Sequence, residues 1–241
     1  MKKRVRKHLP NFITCANLFS GCIGIVCTFT DGNLIFASYA IFVAAIFDFF
    51  DGLASRVLQS YSGIGKDLDS LADLVSFGVL PSAILYELFL QSPQITHVSP
   101  YLSYIAFLIP VFSALRLAKF NIDIRQSDSF IGLPTPANAI LIASFPLILQ
   151  QYNHLSAYIL NPYGLTLFVL IMCTLLVAEL PLMSLKFKNR NFNKNIYRYL
   201  LLMLSAILIL FFKFAAVPVV IIFYITLSLI QFKLANGKIS G

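Results

Sequence analysis

Apolar stretches long enough to cross a lipid bilayer recur along this whole 241-residue sequence. A membrane-spanning helix needs about 20 predominantly apolar residues. The stretches are continuous rather than alternating, which excludes a membrane β-barrel. Hydrophobic residues make up 59% of the chain, and its mean hydropathy is +0.83. We therefore predict an all-α polytopic membrane helix bundle, with spans at about 12–30, 34–52, 68–90, 101–120, 135–150, 163–183, 199–212 and 214–232.

The organisation of the chain follows from the same stretches. No polar segment is long enough for a separate soluble domain, so residues 1–241 are expected to form one membrane-embedded domain. The last two predicted spans meet at Lys213. They could form a tight hairpin in which the lysine reaches the membrane interface. Residues 1–8 and the following apolar run resemble a secretory signal. A second span begins almost at once, however, and we expect the first helix to be retained.

The basic residues are distributed unevenly over the loops. The net charge is +8, and if the spans alternate as predicted, 17 of the 18 Lys and Arg residues lie on one side of the membrane. The loops at 31–33, 91–100 and 151–162 contain none. The positive-inside rule then predicts a multi-pass membrane protein with both termini and the basic face in the cytoplasm. A basic membrane face suits anionic lipid head groups and phosphorylated substrates, and no nucleic-acid partner is expected.

Acidic residues are few but clustered. Five of the ten fall between positions 48 and 73. Asp48 and Asp51, at i and i+3, share one helical face, and Asp69 and Asp73, at i and i+4, share another. A short glycine-containing connection makes the two helices antiparallel neighbours, so the two pairs are expected to converge. Carboxylates in an apolar membrane setting are costly unless a cation or a polar cavity compensates them.

This ligand set predicts a metal site. Oxygen-only carboxylate sites suit hard divalent ions such as Mg²⁺ or Mn²⁺ and disfavour Zn²⁺ and Cu²⁺. One or two such ions at a membrane face are well placed to bind a diphosphate, with one carboxylate left to take a proton from an attacking hydroxyl. The alternatives are solvated helix ends, or a non-enzymatic channel or transporter that uses the aspartates for cations or protons. The cysteines and histidines lack metal-ligand or catalytic spacing.

The aspartates belong to a longer pattern. Asp48-x-x-Asp51-Gly52-x-x-Ser55-Arg56, eight further residues, then Gly65-x-x-x-Asp69-x-x-x-Asp73 resembles the signature of the CDP-alcohol phosphatidyltransferase family. Seven of the eight fixed positions match, and Ser55 stands where the family usually has alanine.

The resemblance implies a polytopic membrane enzyme with a six-helix core, here followed by two extra C-terminal helices, and often a homodimer. Such enzymes transfer a phosphatidyl group from a CDP-linked lipid to an alcohol and release CMP. The resemblance implies that Asp48, Asp51, Asp69 and Asp73 hold two divalent ions, Mg²⁺ or Mn²⁺, and that Asp73 is also the general base. The residues expected to bind the CDP-lipid are Asn17, Gly52, Ser55, Arg56 and Gly65.

Segments outside the signature are similar to the bacterial-type phosphatidylserine synthase branch of this family. They lie at 10–18, 68–78, 116–121, 132–136 and 181–188. This similarity implies a bacterial cell membrane as the location and CDP-diacylglycerol and L-serine as substrates. Transfer to glycerol 3-phosphate or inositol phosphate is the alternative. Serine is zwitterionic and needs partners for both a carboxylate and an ammonium group, and Glu179 is one acidic candidate. The expected acceptor pocket comprises Arg116, Lys119, Asn121, Ser184 and Lys188.

Overall fold

A computed structural model describes residues 2–30, 32–59, 63–123, 129–184 and 195–237. The first half is almost entirely helical: α1 (Lys2–Thr30), α2 (Leu34–Val57), α3 (Gly63–Leu74), a π-helix (Val75–Val79), α4 (Leu80–Leu90), α5 (Ile95–Val98), a 3-10 helix (Pro100–Phe107) and α6 (Leu108–Ile122). The second half contains β1 (Ser129–Ile131), α7 (Thr135–Gln151), a 3-10 turn (Asn153–Leu155), α8 (Ser156–Ile159), α9 (Pro162–Val177), β2 (Pro181–Met183), α10 (Ile196–Phe212), a 3-10 turn (Lys213–Ala215) and α11 (Ala216–Gly237).

Five helical stretches of the described chain are long and apolar enough to cross a membrane, or six if the bent pair Asn153–Ile159 and Pro162–Val177 is one span. The five are His8–Thr30, Leu34–Val57, Gly63–Leu90, Pro100–Ile122 and Ile196–Lys233. Helix α7, with 17 residues, is at the short end of the spanning range. The predicted all-α polytopic membrane bundle is confirmed.

The third span is the centre of the bundle. In Gly63–Leu90, 67% of the apolar stretch is buried within the protein, against 6% in Ile196–Lys233. Phe77, Leu80, Ile84 and Leu88 are fully buried there and belong to the same hydrophobic core as Ile41 of α2. The span also passes through the predicted metal site, so the most buried of the five spans carries Asp69 and Asp73.

The sixth predicted span ends earlier than its apolar composition indicates. Helix α9 stops at Val177, and Ala178 is extended, with φ −62° and ψ 142°. Pro181 follows, and helices commonly end shortly before a proline. Residues 181–183 instead form β2, which pairs antiparallel with β1 so that Phe130 lies opposite Leu182. This small sheet, absent from the sequence-based prediction, brings the loop after α6 to the end of α9.

The last two helices form the expected hairpin. The Arg198 Nε atom near the start of α10 donates to the Ser184 carbonyl oxygen at 2.7 Å. Far along α11, the Ser228 hydroxyl oxygen accepts from the Met183 backbone N–H at 3.1 Å. Both helices therefore return to the same end of β2, and the chain reverses at Lys213, whose φ is +49°.

Candidate metal and substrate site

Three of the four signature aspartates meet at one point. Asp48, Asp51 and Asp69 each offer a carboxylate oxygen, and these oxygens all lie within 4.8 Å of one another. Asp48 and Asp51 come from the end of α2, and Asp69 comes from α3. The predicted convergence of the two pairs therefore holds for these three residues.

The oxygens of this group fit a divalent cation. Within the described chain, Asp51 Oδ2 and Asp69 Oδ1 are buried and have no hydrogen-bond partner. Buried carboxylate oxygens without partners are costly, and neighbouring anions repel one another. A hard cation such as Mg²⁺ or Mn²⁺ compensates both costs, because it binds all-oxygen ligand sets.

Helix α1 completes the site, where the sequence interpretation had placed only its Asn17. It packs along both α2 and α3, whereas α2 and α3 make little backbone contact with each other. The carboxylates therefore meet across a space that α1 closes. The Thr14 side chain lies near Asp51, and its hydroxyl donates to the Pro10 carbonyl oxygen at 3.1 Å. The aspartate pairs of α2 and α3 thus need a third helix to form a site.

Asp73 lies outside the group of three. It is one turn further along α3, only 8% exposed, and within electrostatic range of the other three carboxylates. The Asn17 side-chain amide donates to Asp73 Oδ1 at 3.3 Å. The Ser76 hydroxyl in turn donates to the Asn17 carbonyl oxygen at 3.0 Å. Asp73 is thus fixed from α1, and Asn17, predicted to bind the CDP-lipid, contacts this carboxylate.

A π-helix follows Asp73 almost at once, over Val75–Val79. The wider π turn rotates the residues after it relative to a regular helix, and such turns are frequent at functional sites. Gly78 of this π-helix packs against Pro110 and Ser113 of α6. A Cβ atom added to Gly78 would lie 3.3 Å from the Cβ atom of Ser113. The glycine therefore allows α6 to approach the helix that carries Asp73.

A cavity of about 490 Å³ opens beside the three aspartates. Predicted CDP-lipid residues Gly52, Ser55 and Gly65 line it together with Asp51 and Asp69. The sequence interpretation gave no role to five further lining residues, Pro10, Asn11, Thr14, Gly63 and Lys66. Three of these, Pro10, Asn11 and Thr14, belong to the 10–18 segment. The similarity of that segment to the synthase branch was the one sequence signal that could have pointed to them.

Arg56 is turned toward its own helix. Its Nε atom donates to the Gly52 carbonyl oxygen at 2.7 Å, and Arg56 is not among the residues that line the cavity. The Ser55 hydroxyl donates to the same carbonyl at 3.2 Å. Both side chains therefore make contacts within α2, and Ser55 at the usual alanine position needs no other partner.

The predicted acceptor residues separate into two groups. Arg116 and Lys119 line a second cavity of about 340 Å³, together with Glu179. Asn121 instead connects α6 to α3, because its Nδ2 atom donates to Ser70 Oγ at 2.8 Å. Ser184 lies just beyond β2, where its carbonyl oxygen accepts from Arg198. Lys188 lies outside the described residues.

Arg116 is held by the loop before α7. Its two terminal nitrogens donate to the carbonyl oxygens of Ile131 and Gly132, each at 3.3 Å. Its side chain is only 6% exposed, and its Nε atom has no partner within the described chain. Arg116 is also within electrostatic range of Asp73.

Gly132 makes this loop possible. Its φ is +76°, and an added Cβ atom would lie 2.7 Å from the Leu176 carbonyl oxygen. Residues with a Cβ atom rarely adopt this conformation. Glycine is therefore required where the loop passes the end of α9 and presents its carbonyl to Arg116.

Comparison with known proteins gives consistent matches. The family model for CDP-alcohol phosphatidyltransferase matches residues 7–178, which include all four aspartates but neither α10 nor α11. The CDP-diacylglycerol–serine O-phosphatidyltransferase of Bacillus subtilis is 36% identical over 140 residues, 57% of this chain and 76% of that protein.

Two further relatives match a smaller part of their own length. The CDP-diacylglycerol–serine O-phosphatidyltransferase of Helicobacter pylori is 35% identical over 148 residues, 61% of this chain and 60% of that protein. An archaetidylserine synthase of Methanothermobacter thermautotrophicus is 34% identical over 151 residues, 62% of this chain and 61% of that protein. The chain thus spans about three fifths of the length of these two relatives.

Proposed function

Because this chain belongs to the CDP-alcohol phosphatidyltransferase family, we propose that it transfers the phosphatidyl group of CDP-diacylglycerol to the hydroxyl of L-serine. CMP is the second product. The observation that carries the reaction class is the meeting of Asp48, Asp51 and Asp69 beside a cavity of about 490 Å³. The choice of serine is supported by the names of the similar proteins, several of which are serine phosphatidyltransferases.

The first cavity is the proposed site for the CDP group. Its lining combines carboxylates with the cationic Lys66 and with the glycines of the α2–α3 connection. Glycines leave room for a nucleotide to approach the backbone closely. Asn11 and Ser55 supply neutral polar groups on the same wall. The lipid tails of the substrate would then lie against the apolar outer faces of the bundle.

Asp48, Asp51, Asp69 and Asp73 would hold one or two divalent ions, Mg²⁺ or Mn²⁺. When bound, these ions neutralise the diphosphate and the charge that develops on the CMP leaving group. The protein contributes four carboxylates on two helices, and α1 fixes Asp73 through Asn17.

In the proposed step, the serine hydroxyl oxygen attacks the lipid-side phosphorus of CDP-diacylglycerol. A new bond forms between that oxygen and phosphorus, and the bond from the same phosphorus to the CMP oxygen breaks. Asp73 takes the hydroxyl proton, as a general base on the face of α3 that also carries Asp69. Its Oδ1 is held by Asn17, which keeps the carboxylate oriented while the acceptor approaches.

The second cavity is the proposed acceptor site. Arg116 and Lys119, one turn apart on α6, offer two cations to the serine carboxylate. Arg116 is within electrostatic range of Asp73, so an amino acid bound there is near the proposed base. Asn121 and Ser184 make other contacts, and their acceptor role stays a prediction, as does that of Lys188.

The orientation and the assembly are also proposals. The split of basic residues supports an active site that faces the cytoplasm. The homodimer stays a prediction drawn from the family resemblance. That residues 1–241 form one domain stays a prediction drawn from the lack of a long polar segment.

A CMP-release assay on purified protein with CDP-diacylglycerol and Mn²⁺ or Mg²⁺ tests the proposal. L-serine should drive CMP release, whereas glycerol 3-phosphate and inositol phosphate should give only background, as should serine with the Asp48→Asn variant. A better rate with glycerol 3-phosphate would keep the reaction class and overturn the serine assignment. Cation flux through proteoliposomes without CMP release with any alcohol would indicate a transporter instead.

A further inference from the structure

We propose that Glu179 binds the ammonium group of the acceptor and makes the second cavity selective for a zwitterion over a phosphorylated alcohol. The inference rests on the proposed function, because it concerns the acceptor of that same reaction. It assigns a specificity role to a residue outside the aspartate signature.

The charges of the second cavity are mixed. Its ionisable lining residues are Arg116, Lys119, Asp123 and Glu179, and its other walls are apolar, formed by Ile122, Ile131, Leu176 and Val177. Among the described residues of the lining, the two cations balance the two carboxylates. Such a lining matches a free amino acid, which is also neutral overall but carries both charges.

The break at the end of α9 places Glu179 in this cavity. Since Ala178 is extended, Glu179 leaves the helical path of the apolar span and reaches the cavity wall. Its side chain is exposed. Within the described chain it makes no hydrogen bond or ion pair, whereas Asp123 has an interaction partner. Glu179 is therefore the carboxylate that is available to a ligand cation.

Two hydrogen bonds connect the backbone beside Glu179 to Arg116. The Gly132 N–H donates to the carbonyl oxygen of Leu180, the residue after Glu179, at 2.9 Å. The Gly132 carbonyl oxygen accepts from Arg116 at 3.3 Å. The backbone next to Glu179 and the Arg116 guanidinium therefore meet at one glycine, and both side chains line the same cavity. An α-amino acid in this cavity has a cation for its carboxylate group and a carboxylate for its ammonium group.

Arg116 supplies the complementary half of the recognition. It is buried, lines the cavity, and keeps an Nε–H without a partner in the described chain. That donor and Lys119 favour the acceptor carboxylate. Glu179 favours the ammonium group and disfavours a phosphate monoester, which brings negative charge alone.

The test compares acceptors that differ in one group: L-serine, 3-hydroxypropanoate, which lacks the ammonium group, and ethanolamine, which lacks the carboxylate. The wild type should use serine far better than 3-hydroxypropanoate. Glu179→Gln should raise the KM for serine roughly 10- to 100-fold, the range for a lost charge-assisted hydrogen bond. It should leave the KM for CDP-diacylglycerol unchanged and nearly equalise serine and 3-hydroxypropanoate. Glu179→Asp should restore most of the preference.

The matched control is Glu87→Gln, the same substitution in α4. Glu87 lies 14 residues beyond Asp73 in the third span, away from the second cavity. It should keep the wild-type acceptor ratio. An unchanged ratio in Glu179→Gln, or a wild type that uses 3-hydroxypropanoate as well as serine, would overturn the inference. A wild type that releases no CMP with serine would instead overturn the proposed function. Serine should also raise the melting temperature of the wild type and not that of Glu179→Gln, which provides a readout of binding independent of turnover.

Discussion

The Asn17 side-chain amide donates to Asp73 Oδ1 at 3.3 Å, between α1 and α3, and both residues are buried. Asn17 is itself held by Ser76, which lies three residues beyond Asp73. The proposed base is therefore positioned by a helix that contributes none of the signature residues. A carboxylate fixed in this way loses less orientational freedom when the acceptor binds.

Asn17→Ala should lower kcat roughly 10- to 100-fold, because it removes a hydrogen bond to a buried carboxylate. The KM for CDP-diacylglycerol should change little, which steady-state CMP release can measure. Asn153→Ala, at an exposed position, is the matched control. If Asn17 binds the nucleotide instead, the main effect will be a raised KM for CDP-diacylglycerol.

A double variant tests whether Asn17 acts through Asp73. Asp73→Asn alone should reduce turnover strongly, and saturating Mn²⁺ should not restore it, because the base is lost as well as a ligand. Adding Asn17→Ala to Asp73→Asn should then cost little more, since residues that act as a unit are not additive. Fully additive losses would argue against the positioning role.

The three converging aspartates predict a metal requirement. Asp48→Asn, Asp51→Asn and Asp69→Asn should each bring CMP release to background and weaken Mn²⁺ binding in an EPR titration, because each removes a charged ligand. Asp67→Asn, an exposed neighbour, should retain activity. EDTA should abolish turnover reversibly, and a chelator-resistant enzyme would refute the metal site.

Gly132 predicts a stability effect away from the aspartates. Gly132→Ala should destabilise the protein by about 1–2 kcal/mol for the positive φ alone, with a further cost from the approach to the Leu176 carbonyl. A thermal melt in detergent measures this loss. Gly164→Ala, where the nearest atom to an added Cβ lies at 3.7 Å, should melt like the wild type. An equally stable Gly132→Ala would mean that the loop rearranges.

The membrane orientation can be tested by cysteine labelling. In a variant with its four cysteines replaced by alanine, Gln94→Cys and Asn153→Cys should react with an impermeant reagent on intact cells. Lys66→Cys and Lys188→Cys should react only after permeabilisation, because basic loops stay in the cytoplasm. Labelling of Lys66→Cys on intact cells would reverse the proposed topology.

The sequence alone was sufficient for the membrane class and for the pairing of the aspartates by face. It predicted eight spans, whereas five or six helical stretches of the described chain are long and apolar enough to cross a membrane. These properties depend on local periodicity: apolar length decides whether a helix can span, and i, i+3 or i, i+4 spacing decides which side chains share a face. The family resemblance added the reaction class through residues that lie on two consecutive helices, α2 and α3.

Contacts between distant segments needed the tertiary structure. Thr14 and Asn17 reach the aspartates because α1 packs along both α2 and α3, and no local pattern encodes that packing. The pairing of β1 with β2 depends likewise on residues about 50 positions apart. Here Gly132 bonds both the Leu180 carbonyl oxygen beside Glu179 and the Arg116 guanidinium, because backbone groups that leave a helix must find partners elsewhere in the fold.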